Sequence, residues 1–132
     1  MITDINELEK LIRVWGVERN ITQDGGCTPQ DQISKLIEEL AECVSTLGKI
    51  EQKKWHLYGA NAYDVEQAYD EMVELEQKLC DDYGDMIVCI IQAMRLSGTD
   101  MIECLNQSWN EIKDRKGYMK NGKFIKINEE IL

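Results

Sequence analysis

The sequence predicts an all-α protein, an antiparallel bundle of four or more helices ending in a short hairpin or extended tail. Three observations carry this. Apolar residues recur at helical spacing through most of the 132 residues. One proline and nine glycines leave few breaks. The one strong two-residue hairpin signal, Asn121-Gly122, lies near the end of the sequence.

The first helix is expected over residues 3–19, with Ile5, Leu8, Leu11, Ile12 and Trp15 inward. Trp15 reads as a core aromatic, its alternative role being a base-stacking platform. A loop containing Asp24-Gly25-Gly26 follows. Thr28 is a natural N-cap, Pro29 suits the first helical position, and Asp31 completes a capping-box-like pattern. This second helix is expected to reach about Leu47, with Gly48 near its end. At about 100° per residue, Ile33, Leu36, Ile37, Leu40, Val44 and Leu47 form one stripe, with Glu38, Glu39 and Glu42 on the other side.

Residues 49–63 combine Lys49, Lys53 and Lys54 with Trp55, Leu57 and Tyr58, and Gly59-Ala60-Asn61 has the composition of a break. His56, the one histidine, has no assigned role. A third helix begins near Asp64, carries Val65, Ala68, Tyr69, Met72, Leu75 and Leu79 on a broad stripe, and runs to Leu96, with Gly84 as a place to kink. Thr99 or Asp100 caps a fourth, with Met101, Ile102, Leu105, Trp109 and Ile112 inward and Gly117 as its stop. The segments around Tyr118 and Phe124 then flank the Asn121-Gly122 turn.

Length and a hydrophobic fraction of 43% fit a single domain, residues 1–132, with a real core. The formal net charge of −10 disfavours a nucleic-acid polymer or an anionic membrane as partner. A nucleotide substrate stays open, because a bound metal inverts the local sign. The five cysteines include no CxxC pair; Cys43, Cys89 and Cys104 read as small core residues. With neither a signal-peptide pattern nor a bilayer-length apolar run, a reduced cytoplasmic setting is expected.

Two acidic clusters carry the chemistry, Glu38-Glu39-Leu40-Ala41-Glu42 and Asp81-Asp82-Tyr83-Gly84-Asp85. Within them Glu39 and Glu42, and Asp82 and Asp85, sit a turn apart on one helix face, where like charges repel unless something positive lies between. Two such pairs on facing helices would offer four carboxylates to one point, a donor set for Mg²⁺ or Mn²⁺ rather than zinc. Asp85 runs directly into Met86-Ile87-Val88-Cys89-Ile90-Ile91, apolar on every side, so it is expected to enter the interior, where a carboxylate needs a cation or donors. The alternative is an acid that meets solvent or the helix dipole.

Glu38-Glu39-x-x-Glu42 followed by Asp82-x-x-Asp85 resembles the EExxE…ExxD signature of the MazG-like all-α nucleoside triphosphate pyrophosphohydrolases. The resemblance extends to Trp15-Gly16-Val17-Glu18-Arg19-Asn20-Ile21, Thr28-Pro29-Gln30-x-Gln32 and Lys35-Leu36. It also takes in Asn110-Glu111-Ile112-Lys113-Asp114-Arg115-Lys116-Gly117 and Asn121-Gly122-Lys123-Phe124-Ile125-Lys126, and it points to the phage and bacterial branch. It departs in two places. Asp82 replaces the first glutamate of ExxD, one methylene shorter, and residues 49–80 exceed the short phage-type members, as a longer helical pair, a reshaped base pocket or an oligomer interface.

The resemblance implies Mg²⁺-dependent hydrolysis of a (deoxy)nucleoside triphosphate to the monophosphate and pyrophosphate, in nucleotide-pool housecleaning. It makes Glu39, Glu42, Asp82 and Asp85 metal ligands, and Glu38 a second-metal ligand or the group that orients water. Lys113, Arg115 and Lys116, with Asn110, become phosphate candidates, their alternative being the helix C-terminal dipole; Gln32 and Lys35 become sugar or phosphate candidates. A homodimer or homotetramer is implied. A di-iron bundle wants Glu-x-x-His, and Lys53 stands three before His56. The remaining rival is a non-enzymatic helical oligomerisation or regulatory module with a solvated acidic face.

Overall fold

A computed structural model describes residues 1–59 and 62–127, with side chains from residue 65 onward in the second stretch. The expected break at Gly59-Ala60-Asn61 falls at residues 60–61, outside the described residues. The all-α expectation holds: α1 spans Ile5–Glu18, α2 Pro29–Gly59, α3 Ala62–Leu96 and α4 Met101–Ile112, followed by β1 (Gly117–Lys120) and β2 (Lys123–Lys126). The chain divides into two compact units, Met1–Gly98 and Thr99–Leu132. No described helix is long and apolar enough to cross a membrane.

In the first unit α2 and α3 form a long antiparallel pair. Thr46 bonds Asp82 and, further along α2, Lys53 pairs with Glu71, so residue numbers rise on one helix as they fall on the other. The reciprocal cap of α2 is formed: Asp31 N donates to Thr28 Oγ1 at 3.2 Å and Thr28 N to Asp31 Oδ2 at 2.8 Å. These bonds from the Thr28 backbone and side chain hold the Asp31 carboxyl below its usual range. Unlike the expectation, α2 does not stop near Gly48. A mid-helix glycine costs only about 1 kcal/mol, and beyond it Ile50 is buried and Lys53 is tied to α3. α3 likewise runs through Gly84 as one helix.

The buried seam of α2 is Glu39, Cys43, Thr46 and Ile50, at helical spacing. This overturns the expected inward stripe. Ile33, Ile37, Leu40, Val44 and Leu47 are 44%, 63%, 50%, 60% and 42% exposed, whereas Glu39 is 9% exposed. Periodicity locates an apolar stripe without saying what covers it; here α3 takes the seam roughly a quarter turn away. On α3, Ala68, Met72, Cys89, Ile91, Ala93 and Leu96 are buried, but Val65 and Tyr69 are exposed.

α1 is held to α3 by a polar lock. The buried Gln92 donates Nε2 to Ile12 O at 2.9 Å and accepts from Arg95 Nε at 3.1 Å, and Arg95 also donates to Ile21 O. Gly16 lies against this amide: a Cβ there would come within 2.3 Å of Gln92 Oε1. Correspondingly, Gly16 and Glu9 are buried while Ile5, Leu11 and Trp15, expected inward, are exposed. Asn20, in the left-handed region, closes the helix as Ile21 N donates to Gly16 O.

In the second unit Asp100 caps α4, accepting from Glu103 N at 2.8 Å. α4 has no fully buried residue, and Ile102, Leu105, Trp109 and Ile112, expected inward, are exposed. The hairpin forms in the register Gly117↔Lys126 to Lys120↔Lys123, turning on Asn121 and Gly122 at φ 51° and 75°, the signs that a two-residue I′ turn requires.

The lock makes a prediction. Gly16→Ala drives a methyl into a glutamine amide held by two hydrogen bonds, so it should lower unfolding free energy by about 1–3 kcal/mol. Urea melts of the two proteins measure this.

Candidate active site

The site is built where the acidic clusters meet across the α2–α3 seam. Asp82, 2% exposed, is at its centre. Its Oδ2 accepts from Thr46 Oγ1 across the helix pair at 2.5 Å, and its Oδ1 pairs with Lys78 Nζ at 2.8 Å, one turn back on α3. The Thr46 hydroxyl also lies 3.1 Å from Glu42 O, but its single proton favours the charged acceptor. The Lys78 ammonium, then the Thr46 hydroxyl, hold the Asp82 carboxyl below the usual range against the opposing effect of burial.

Glu39 faces the same seam from α2. Lys35 Nζ bridges the first cluster, 3.0 Å from Glu38 Oε2 and 3.2 Å from Glu39 Oε1. Each cluster therefore carries its own ammonium, four residues before Glu39 and four before Asp82. The positive charge that the paired acids demand is supplied by the chain itself.

Asp85 departs from expectation. It is exposed at the rim and does not enter the interior; the following apolar run turns Cys89 and Ile91 inward. Partial desolvation beside the helix pair, then the charges of Glu39, Asp81 and Asp82, push its carboxyl above the usual range, with Lys78 opposing. Glu42 is also exposed, and its charge acts on Lys78. Glu39, Glu42, Asp82 and Asp85 thus lie along one stretch of the α2–α3 pair, where Glu39 and Asp82 act on Asp85 and Glu42 acts on Lys78. Two of the four, Glu39 and Asp82, are lysine-bound; among the described residues, no three acidic, cysteine or histidine side chains are grouped as a metal cage. In kind the donor set fits a hard dication, being all oxygen and excess negative charge.

Gln32 Nε2 reaches Cys27 Sγ at 3.3 Å, and the Lys35 ammonium is engaged by the glutamates. Trp15 is exposed, with the Arg19 guanidinium 4.7 Å from its ring centroid, so it is not the core aromatic expected. Asn110, Lys113, Arg115 and Lys116 belong to the second unit, where Lys113 is the α4 C-cap. His56 lines a recess of about 370 Å³ with Lys49, Gln52, Lys53 and Leu75. Sequence reasoning missed Thr46 and Lys78. Lys78 had a readable signal, its i,i+4 spacing to Asp82, and Thr46 lies seven residues after Glu39 on the same helix face.

No protein family matches the chain, nor does any curated protein or solved structure.

Opposite pH effects follow for two acids. Asp82 has a depressed value, so its contribution is present above the ordinary 3.8 and is lost as pH falls through the lowered value. Thr46→Val should therefore melt below wild type at neutral pH, with the gap closing in acid. Asp85 has a raised value, so its charged form opposes folding above that value and protonation relieves it. Asp85→Asn should raise the metal-free melting temperature at neutral pH and lose that advantage below about pH 4, near the ordinary carboxyl value. Thermal melts from pH 3 to 8 check both signs.

Proposed function

We propose that this chain is a divalent-metal-dependent nucleoside triphosphate pyrophosphohydrolase, cleaving between the α and β phosphorus to give the monophosphate and pyrophosphate. One observation carries the reading. Glu39 and Asp82 are buried on facing sides of one helix seam, each a turn from a second acid, Glu42 or Asp85. Carboxylates are rarely buried without a cation to meet them, and the cations that meet these two, Lys35 and Lys78, are about half exposed. A chain selected for stability alone would fill this seam with apolar residues, and its apolar stripe is instead turned outward.

In this reading Glu39, Glu42, Asp82 and Asp85 would hold Mg²⁺ or Mn²⁺. When bound, such a cation neutralises triphosphate charge and makes water a better nucleophile. Thr46 fixes the rotamer of Asp82, so that one carboxylate is preorganised before substrate arrives. Glu38, exposed beside Glu39, is the group proposed to orient the attacking water or to hold a second metal.

A second reading, a non-enzymatic oligomerisation module, is favoured by the lysine pairing of the acids and by the exposed stripe on α2. The stripe also serves the enzyme: we read it as the face of a homodimer or homotetramer, since five large apolar residues on one helix face are costly to leave in water.

A screen of the ribo- and deoxyribonucleoside triphosphates should find one or more that release pyrophosphate, not orthophosphate, with Mg²⁺ or Mn²⁺, and Asp85→Asn should abolish that turnover. Saturating Mg²⁺ should raise the melting temperature beyond a matched monovalent salt; a cation at one hundred times its dissociation constant stabilises by about 2.7 kcal/mol. No turnover with either metal leaves the module reading. For assembly, light scattering at micromolar concentration should give a dimer or tetramer, and a monomer would contradict the interface.

A further inference from the structure

The metal-free site raises a question that its acids alone do not answer: what holds a buried carboxylate in place before any dication arrives. For Asp82 the partners are Thr46 and Lys78. They differ in kind. Thr46 is buried, on the facing helix, and cannot withdraw. Lys78 is a long chain on the same helix, and 48% of its side chain is exposed, against 2% for Asp82. The ammonium can swing into solvent; the carboxylate cannot follow.

Helix stability alone is a weak reason for the lysine. The favourable order for an i,i+4 pair places the acid N-terminal to the base, and Lys78 precedes Asp82. Lys35 precedes Glu39 in the same less favourable order. Both lysines therefore give their helix less than the reverse order would, while each covers a buried acid.

We propose that Lys78 is a displaceable counter-cation: it neutralises Asp82 in the metal-free chain and must leave Oδ1 when a divalent cation binds, so it weakens and thereby sets metal affinity. The proposal rests on the metal site of the pyrophosphohydrolase reading. Lys78 is a positioning residue, acting through Asp82. Its cost is an exchange, one ammonium–carboxylate contact for one dication–carboxylate contact. Its gain is a metal-free seam in which the buried charge is never unpaired. Lys49 supplies the control, because its charge acts on Asp82 through space without a hydrogen bond to it.

Calorimetric titration of the full chain with Mn²⁺ at constant ionic strength tests this. Lys78→Gln should bind Mn²⁺ about fivefold more tightly than wild type, the scale of a partly exposed ion pair. Lys78→Arg should stay near wild type, and Lys49→Gln should gain clearly less than Lys78→Gln. Before metal is added Lys78→Gln should melt below wild type, and saturating Mn²⁺ should narrow the gap. Should that variant not fold, Lys78→Met, which keeps the aliphatic stem, carries the same comparison. In the wild type, acetylation of Lys78 by acetic anhydride, mapped by mass spectrometry, should accelerate when Mg²⁺ is present. Unchanged affinity in Lys78→Gln, an equal gain in Lys49→Gln, or Lys78 acetylation indifferent to Mg²⁺ would each overturn the proposal while leaving the metal reading intact. Absence of Mn²⁺ binding in both wild type and Lys78→Gln overturns the metal reading and the proposal together.

Discussion

A carboxylate buried between two helices constrains everything around it. Asp82 sits at 2% exposure in the α2–α3 seam, and an unpaired charge there would cost more than most single interactions in a protein this size return. Its partners come from both sides, the Thr46 hydroxyl from α2 and the Lys78 ammonium from α3. The cross-helix bond also pins register. Sliding one helix by a turn would separate Thr46 from Asp82 and bring apolar side chains to the charge. Cys43, one turn before Thr46, and Cys89, two turns beyond Asp82, are buried along the same helix pair. The seam is therefore specified by a polar contact within a thin core, and the apolar surplus of α2 lies elsewhere.

That arrangement explains which features were legible in the residues alone. Helix number, the Thr28–Asp31 cap, the Asp100 cap and the Asn121-Gly122 hairpin are local, and local chemistry determines them. The reach of α2 past Gly48 was not legible, because a glycine that looks like a stop carries a modest penalty that Ile50 and Lys53 offset through contacts with a distant segment. Facing was the larger loss. Ile33, Ile37, Leu40, Val44 and Leu47 have the periodicity of a core face and are exposed, while the adjoining seam with Glu39 is buried. Periodicity detects a stripe and is silent on whether α3 or a second body covers it.

The acids show the same division. Their pairing at i,i+3 on two helices was readable, and the structure brings both pairs to one stretch of the antiparallel α2–α3 pair. Which acid is deep was not. An apolar run after Asp85 suggested that residue, yet Asp82, one turn earlier, has the buried position and Asp85 stays at the rim. A helix turns each successive side chain by about 100°, so an apolar run says that the helix is buried without fixing how its first residue faces. Thr46 and Lys78 escaped notice because neither is acidic, although both are decided by spacing to residues already singled out.

The two lysines change what the acids mean. Carboxylates gathered along one seam repel as bare charges, and the effect is visible at Asp85, whose carboxyl is pushed upward by desolvation, then by Glu39, Asp81 and Asp82. Asp82, in the same field, is held low because an ammonium and a hydroxyl meet it directly. One cluster thus contains a buried carboxylate met directly by protein donors and an exposed one at the rim. In the proposed metal site, a cation would meet the exposed Asp85 first and would reach Asp82 Oδ1 by taking the place of Lys78. On the metal reading, affinity at this seam is then a difference between two cations competing for one oxygen. The bare number of acids does not determine it.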